Sequence, residues 1–305
     1  MTHQFNRTAI YIALGLSLVM VVAVIFGAKF VYENVAKAPV AMAPVQSDHA
    51  DSPECAAAIE AAPKELMGQP RAEIAEPVPA GAAAWASNSE EKVTLRCGVD
   101  LPLQYTEYSQ TEDVEGEAWL QVKDMTPGSD LTTWYSTERF PVLAVTTFDD
   151  SRPEGLGDVL AAVPAQHNTP AAAPLSELKA GPDSMCADLN AALPESIAEG
   201  YERRSDVPTK DASAKNVTVW SATGREDIVV RCGVAPPENY RAGVQLQQVN
   251  DVPWFEDTTL GEGTTSGRWF ALGRANDLVL SAPQDAANSA LVKLSDALVE
   301  TTPEQ

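Results

Sequence analysis

Cys55 is followed by Pro63 after eight residues, and Cys186 is followed by Pro194 after the same eight. Trp85 precedes Cys97 by twelve residues and Trp220 precedes Cys232 by twelve. Trp119 and Trp254 then come twenty-two residues after those cysteines, and Arg139 and Arg274 twenty residues after those tryptophans. Leu95-Arg96-Cys97-Gly98-Val99 matches Val230-Arg231-Cys232-Gly233-Val234. With six tryptophans and four cysteines in 305 residues, this many matched offsets require a tandem duplication. Two units of about 115–120 residues are far too long for a solenoid repeat and are the right size for two small domains.

Ahead of the duplication, Ala9 to Ala28 carries no charge and no proline. Twenty such residues at about 1.5 Å each span the roughly 30 Å hydrocarbon layer. A cleaved signal peptide usually has a shorter apolar run. The cleavage-like Ala36-Lys37-Ala38 and Ala41-Met42-Ala43 are each followed by proline (Pro39, Pro44), a poor residue to present to a peptidase. The expectation is an uncleaved transmembrane helix. Arg7 before the span and Lys29 and Lys37 after it leave orientation to the cysteines, all of which follow the span and suit an oxidising compartment. The expected organisation is a short cytoplasmic tail (1–8), the span (9–28), a Pro/Ala linker (29–51), copy one (52–163), a second Pro/Ala linker (164–182) and copy two (183–305), with both copies outside the cytoplasm.

Within copy one, Ser52 and Pro53 announce a helix carrying Cys55, Ile59 and Leu66 on one stripe. In copy two, Asp183 or Ser184 caps a helix with Cys186, Leu189, Leu193 and Ile197 on one face, interrupted at Pro194. Strands are predicted at 92–99, 118–123, 134–139 and 142–148, with counterparts at 227–234, 246–249, 269–272 and 278–282. A closing helix follows at 156–163 in copy one, and another carries Leu291, Leu294 and Leu298 in copy two. The fold class is α+β: two tandem copies of a helix, a four-stranded antiparallel sheet and a helix, preceded by one transmembrane helix. If each unit folds alone, the disulfides are Cys55–Cys97 and Cys186–Cys232, closing loops worth roughly 4 kcal/mol each.

The net charge of −22 repels phosphate backbones, so nucleic acid is not an expected partner. The three histidines, His3, His49 and His167, lie outside the predicted folded units, so no Ser-His or Cys-His pair has a base on a rigid element. No motif points to a cofactor, a metal or a catalytic residue. Arg96, Arg231, Arg139 and Arg274 read either as satisfying carboxylates and loop carbonyls or as recognising an anionic ligand. Trp119 and Trp254 read either as core anchors or as an aromatic platform.

The pattern resembles the actinobacterial family catalogued as domain of unknown function 3515. That family's hallmarks are an early cysteine on a CxxLxxxLP-like helix, a tryptophan, LRCG and a VNGV-W-like turn. Copy two matches with Cys186-Ala-Asp-Leu189, Leu193-Pro194, Trp220, Val230-Arg-Cys-Gly233 and Val249-Asn-Asp-Val-Pro-Trp254; copy one is looser, with Ala62-Pro63 and Val114-Glu-Gly-Glu-Ala-Trp119. The resemblance implies a membrane anchor followed by an extracytoplasmic domain, and no activity. The expected function is a membrane-anchored cell-envelope protein, a non-catalytic binding or scaffolding module whose partner is an envelope protein or cell-wall component. The alternative is an envelope enzyme using carboxylates on a glycan or peptide.

Overall fold

The computed structural model describes residues 7–35, 39–45, 47–87, 91–207, 215–241, 243–259 and 266–304. The expected tail thus falls mostly outside the described residues, as does His3. One helix, α1 (Arg7–Val35), contains an apolar stretch, Ile10–Val31, with mean hydropathy 2.6 and no residue buried against the rest of the protein. It is long and apolar enough to cross a membrane.

Copy one begins with α2 (Pro53–Ala61), where the Ser52 side chain accepts from the Cys55 N–H at 3.2 Å. Four strands follow: β1 (Glu65–Leu66), β2 (Gln69–Ala72), β3 (Ala82–Ala86) and β4 (Lys92–Cys97). Four more are β5 (Glu112–Val114), β6 (Glu117–Lys123), β7 (Leu131–Ser136) and β8 (Leu143–Phe148), before α3 (Gly157–Ala161). Copy two repeats the series with α4 (Cys186–Ala192), β9 (Ser196–Ala198), β10 (Tyr201–Arg203), β11 (Val217–Ser221) and β12 (Ile228–Cys232). It continues with β13 (Gln247–Val249), β14 (Val252–Asp257), β15 (Ser266–Ala271), β16 (Leu278–Pro283) and the long α5 (Gln284–Thr301).

Among the described residues each copy is therefore built on eight strands, and the expected four-stranded sheet is corrected. The order β1-β2-β3-β4-β8-β7-β6-β5 recurs as β9-β10-β11-β12-β16-β15-β14-β13. Each sheet is two antiparallel meanders joined along their last strands, β4 to β8 and β12 to β16. The missed strands have local reasons. β3 is Ala-Ala-Ala-Trp-Ala, a composition that favours helix until burial of all five residues overrides it. β1 and β9 have two and three residues. β14 contains Pro253, which argues against a strand. As a result 246–249 was paired with the wrong partner: it is β13, the counterpart of β5, and β14 is the counterpart of β6.

The first helices are shorter than their stripes suggested. Pro63 and Pro194 disfavour helical geometry in the residues before them, so α2 stops at Ala61 and α4 at Ala192. Leu66 and Ile197 reach the core from β1 and β9 instead. At α4 the cap is not the side chain of Asp183 or Ser184; the Met185 N–H donates to Asn276 Oδ1 at 3.1 Å.

The central strands, β3 and β12 above all, are buried on both faces. Front-facing Trp85, Leu95, Trp119 and Trp134 pack under α2 and α3; Trp220, Val230, Trp254 and Trp269 pack under α4 and α5. The back faces carry Ala82, Ala84 and Ala86 in copy one, and Val219, Val229, Phe255, Phe270 and Val279 in copy two. The two Pro/Ala segments cover them. Val40 and Met42 lie on the first sheet, with Val40 bridged to Ile74. Ala173, Leu175 and Leu178 lie on the second, between bridges of Ala171 to Thr106 and Ala180 to Val234.

This packing fixes where copy two can be excised. A fragment beginning at residue 183 uncovers the second back face and removes the carbonyls of Leu175 and Leu178 from the buried Arg231. A fragment of residues 164–305 should be more stable than one of 183–305 by about 3–6 kcal/mol, measured by urea unfolding. Equal midpoints for the two fragments would show that the segment contributes nothing.

Candidate functional site

The two disulfides are Cys55–Cys97 and Cys186–Cys232, with Cα–Cα separations of 5.4 and 5.6 Å. Each ties the first helix of a copy to the end of its fourth strand. The glycine after each strand cysteine has a positive φ, 84° at Gly98 and 78° at Gly233. A Cβ on Gly98 would lie 2.4 Å from the backbone N of Ala50, so the shared Arg-Cys-Gly triplet turns the chain where a covering segment passes.

The matched arginines and tryptophans are engaged by their own chain. Arg96 and Arg231 point away from the neighbouring cysteine to the back face. Arg96 Nη2 donates to the Ala43 carbonyl at 2.7 Å, and Arg231 Nη1 to the carbonyls of Leu175 (2.8 Å) and Leu178 (3.0 Å). Both hold the segment that precedes their copy. Arg139 and Arg274 collect carbonyls at the ends of the closing helices: Leu160 and Val163 at 3.1 Å each, and Thr302 at 3.2 Å. Arg139 also pairs with the buried Glu117 at 2.7 Å. Trp119 and Trp254 are fully buried, Trp254 donating to Ser295 Oγ at 2.9 Å. Trp85 and Trp220 donate to the Pro63 and Pro194 carbonyls at 2.8 and 2.9 Å, so the same bond recurs in both copies.

Cavities lie elsewhere: one of about 350 Å³ between copy two and its covering segment, and others along the junction between the copies. There, Tyr108 of copy one inserts into the back-face cluster of copy two. Arg204 donates to the Tyr108 carbonyl, and the Lys123 N–H to the Gly224 carbonyl at 2.8 Å. A cavity of about 300 Å³ opens between Leu103, Gln104, the segment 171–177, Asp227 and Arg268. A second of about 200 Å³ is reached on the other side of Gln104 and Asp227, which line both.

Glu226 of this junction has a counterpart in Glu91, but most of its residues are not shared by the copies. By its offset from the strand cysteine, Asp227 corresponds to Lys92 and Tyr108 to Gly243. Arg268, next to Trp269, corresponds to Thr133 next to Trp134. Arg203 and Arg71 sit opposite Trp220 and Trp85 in register, so Arg204 corresponds to Ala72. In the sequence these positions carry one signal, a difference between the aligned copies.

Asp227, just before β12, is the electrostatic centre of the junction. Its side chain is 11% exposed; Ser221 Oγ donates to it at 2.5 Å, and Arg204 Nη1 is 4.0 Å away. Arg204 is held instead by Asp206, at 3.0 and 3.2 Å. Burial pushes the Asp227 carboxyl up to about 6, with Asp206 and Glu226 adding in the same direction and Ser221 and Arg204 opposing. Among the described residues, no group of three or more His, Cys, Asp or Glu could hold a metal ion.

A carboxyl raised from 3.8 to about 6 on folding contributes stability that is fully present below pH 3.8 and is lost as pH rises through 6. Asp227→Asn removes that loss. The variant should be more stable than the parent at pH 7 by about 2–3 kcal/mol, the gap shrinking towards pH 4. Urea unfolding of both proteins between pH 4 and 8 checks this; a gap that does not vary with pH contradicts it.

No curated protein and no solved structure matches the chain. The family model described as a protein of unknown function, DUF3515, matches twice, over residues 14–173 and 159–305. The second match begins in α3 and so takes in the whole segment that covers the back face of copy two. The chain belongs to the DUF3515 family, whose domain it carries in two tandem copies.

Proposed function

We propose that this chain is a single-pass protein of the cytoplasmic membrane whose C-terminal part stands outside the cytoplasm as a tethered, non-catalytic binding or scaffolding module of the cell envelope. The ligand, an envelope protein or cell-wall component, sits at the junction of the two copies. One observation carries the reading: the matched arginines and tryptophans are occupied in folding each copy, whereas most positions lining the cavities between the copies differ between them. The exposed apolar helix and the two disulfides support the tether and an oxidising location.

The alternative, a carboxylate-dependent enzyme acting on a glycan or peptide, draws on Asp227. A buried acid raised to about 6 and lining a cavity is placed as general acids are. Loss of a hydrolytic activity on envelope glycan or peptide in Asp227→Asn would favour it.

Hydrogen exchange on the full-length protein in nanodiscs, with and without solubilised envelope components, tests the binding reading. Slowed exchange should concentrate in residues 103–108, 171–177 and 226–228. Protection confined to other surfaces, or none, rejects the junction as the site.

A further inference from the structure

The junction cavity beside Leu103 and Asp227 combines an apolar wall with an excess of negative charge. Leu103, Ala172 and Pro174 supply the wall, and the lining carries the carboxylates of Glu177, Glu226 and Asp227 against the single guanidinium of Arg268. Arg268 is already held by Glu177 at 2.5 Å. The other two guanidiniums near Asp227 are also held, Arg225 by Asp285 and Arg204 by Asp206. An anionic ligand would have to break one of these pairs, at the cost of leaving a carboxylate behind. Asp227 stands differently: its nearest donor is a neutral hydroxyl, and the closest guanidinium is beyond hydrogen-bonding distance and committed elsewhere. A cation brought to Asp227 supplies what the protein leaves out.

Resting on the junction reading above, we propose that this cavity binds an alkylammonium group, with Asp227 as its counter-ion and the Leu103, Ala172 and Pro174 wall against its methylene stem. A volume of about 300 Å³ is at the small end of ligand pockets and suits one amine-bearing chain. Aliphatic stems on apolar surface with the charged head at a polar site are the ordinary way such groups are accommodated. The net charge of −22 draws cations towards the protein. The amine can belong to a small free molecule or to a basic side chain of a polypeptide.

Titration calorimetry on the full-length protein in nanodiscs uses four probes: cadaverine, Nα-acetyl-lysine-N-methylamide, its Nε-acetylated neutral analogue, and glutarate. Hydrogen exchange locates each probe that binds. The two ammonium probes should bind and slow exchange at the junction, whereas the neutral analogue and glutarate should bind at least tenfold more weakly. Affinity for the ammonium probes should rise about tenfold from pH 5 to pH 7.5, because Asp227, with its carboxyl at about 6, must be ionised. The groups facing Asp227 are Arg204, Asp206, Glu226, Tyr201 and Ser221. In Asp227→Asn, ammonium affinity should fall at least tenfold and lose this rise. Thermal unfolding of the variant separates lost binding from lost folding. Preference for cadaverine identifies a free amine, and preference for the lysine derivative a polypeptide side chain.

Neutral or anionic probes binding the cavity as tightly as the ammonium probes overturn the ligand class while leaving the junction as the binding site. Ammonium binding that is unchanged in Asp227→Asn overturns the assignment of Asp227. Failure of both ammonium probes to bind at millimolar concentration overturns the proposal, and the envelope-component exchange experiment then decides the junction reading separately.

Discussion

A sheet that is apolar on both faces must be covered twice, and the arrangement of this protein follows from how that is done. The front of each sheet takes the helices, with a disulfide joining the first helix to the fourth strand. The back has no helix and takes the chain segment that leads into the copy. Such a segment brings its own unpaired backbone groups onto an apolar surface, and these need partners. Arg96 and Arg231 meet that need, each placing a guanidinium on the back face to donate to carbonyls of the covering segment. The segments between α1 and copy one and between the copies are therefore structural parts of the sheets they precede.

The same requirement brings the copies together. Leu175 and Leu178 cover the second sheet, while the adjoining Ala171 is bridged to Thr106 of copy one. The loop containing Thr106 also carries Tyr108 into the same back-face cluster. Copy one thus completes the cover of copy two. On copy two the position matching Tyr108 is Gly243, and on copy one the position matching Arg204 is Ala72, so neither outer end repeats the junction. The duplication is symmetric in its cores and asymmetric where its halves meet.

Much of the fold was legible because rare residues do fixed jobs. The cysteine and tryptophan offsets gave the duplication, the disulfide pairs and the central strands, since each shared tryptophan or cysteine has a defined place in the core. The remaining strands were hidden where tertiary burial overrides local preference: alanine-rich β3, buried on every residue, and β14 with Pro253 in its interior. The eight-stranded order depends on pairing β4 with β8 and β12 with β16, contacts between segments some fifty residues apart, for which local periodicity holds no signal. The junction was less legible still. Tyr108 and Arg204 meet across 96 positions of sequence, and Asp227 looks in sequence like any other acid among 43.

Asp227 departs from the physical logic of the rest of the molecule. Elsewhere, buried polar groups serve packing: Arg139 and Arg274 at helix ends, Arg231 under a covering segment, Glu117 beside Arg139. The three arginines each give buried carbonyls a donor, and Glu117 gives Arg139 a counter-ion. Asp227 does the reverse, putting a carboxylate into a confined place with a hydroxyl as its nearest donor and its ionisation opposed by burial. The matching position in copy one holds Lys92, within an ordinary strand, so this topology folds without an acid there. Under the binding proposed above, a carboxylate that burial makes costly to ionise gains most from a cation, and its affinity for that cation follows pH near 6. Occupancy and protonation would then be coupled at a single side chain beside the contact between the copies.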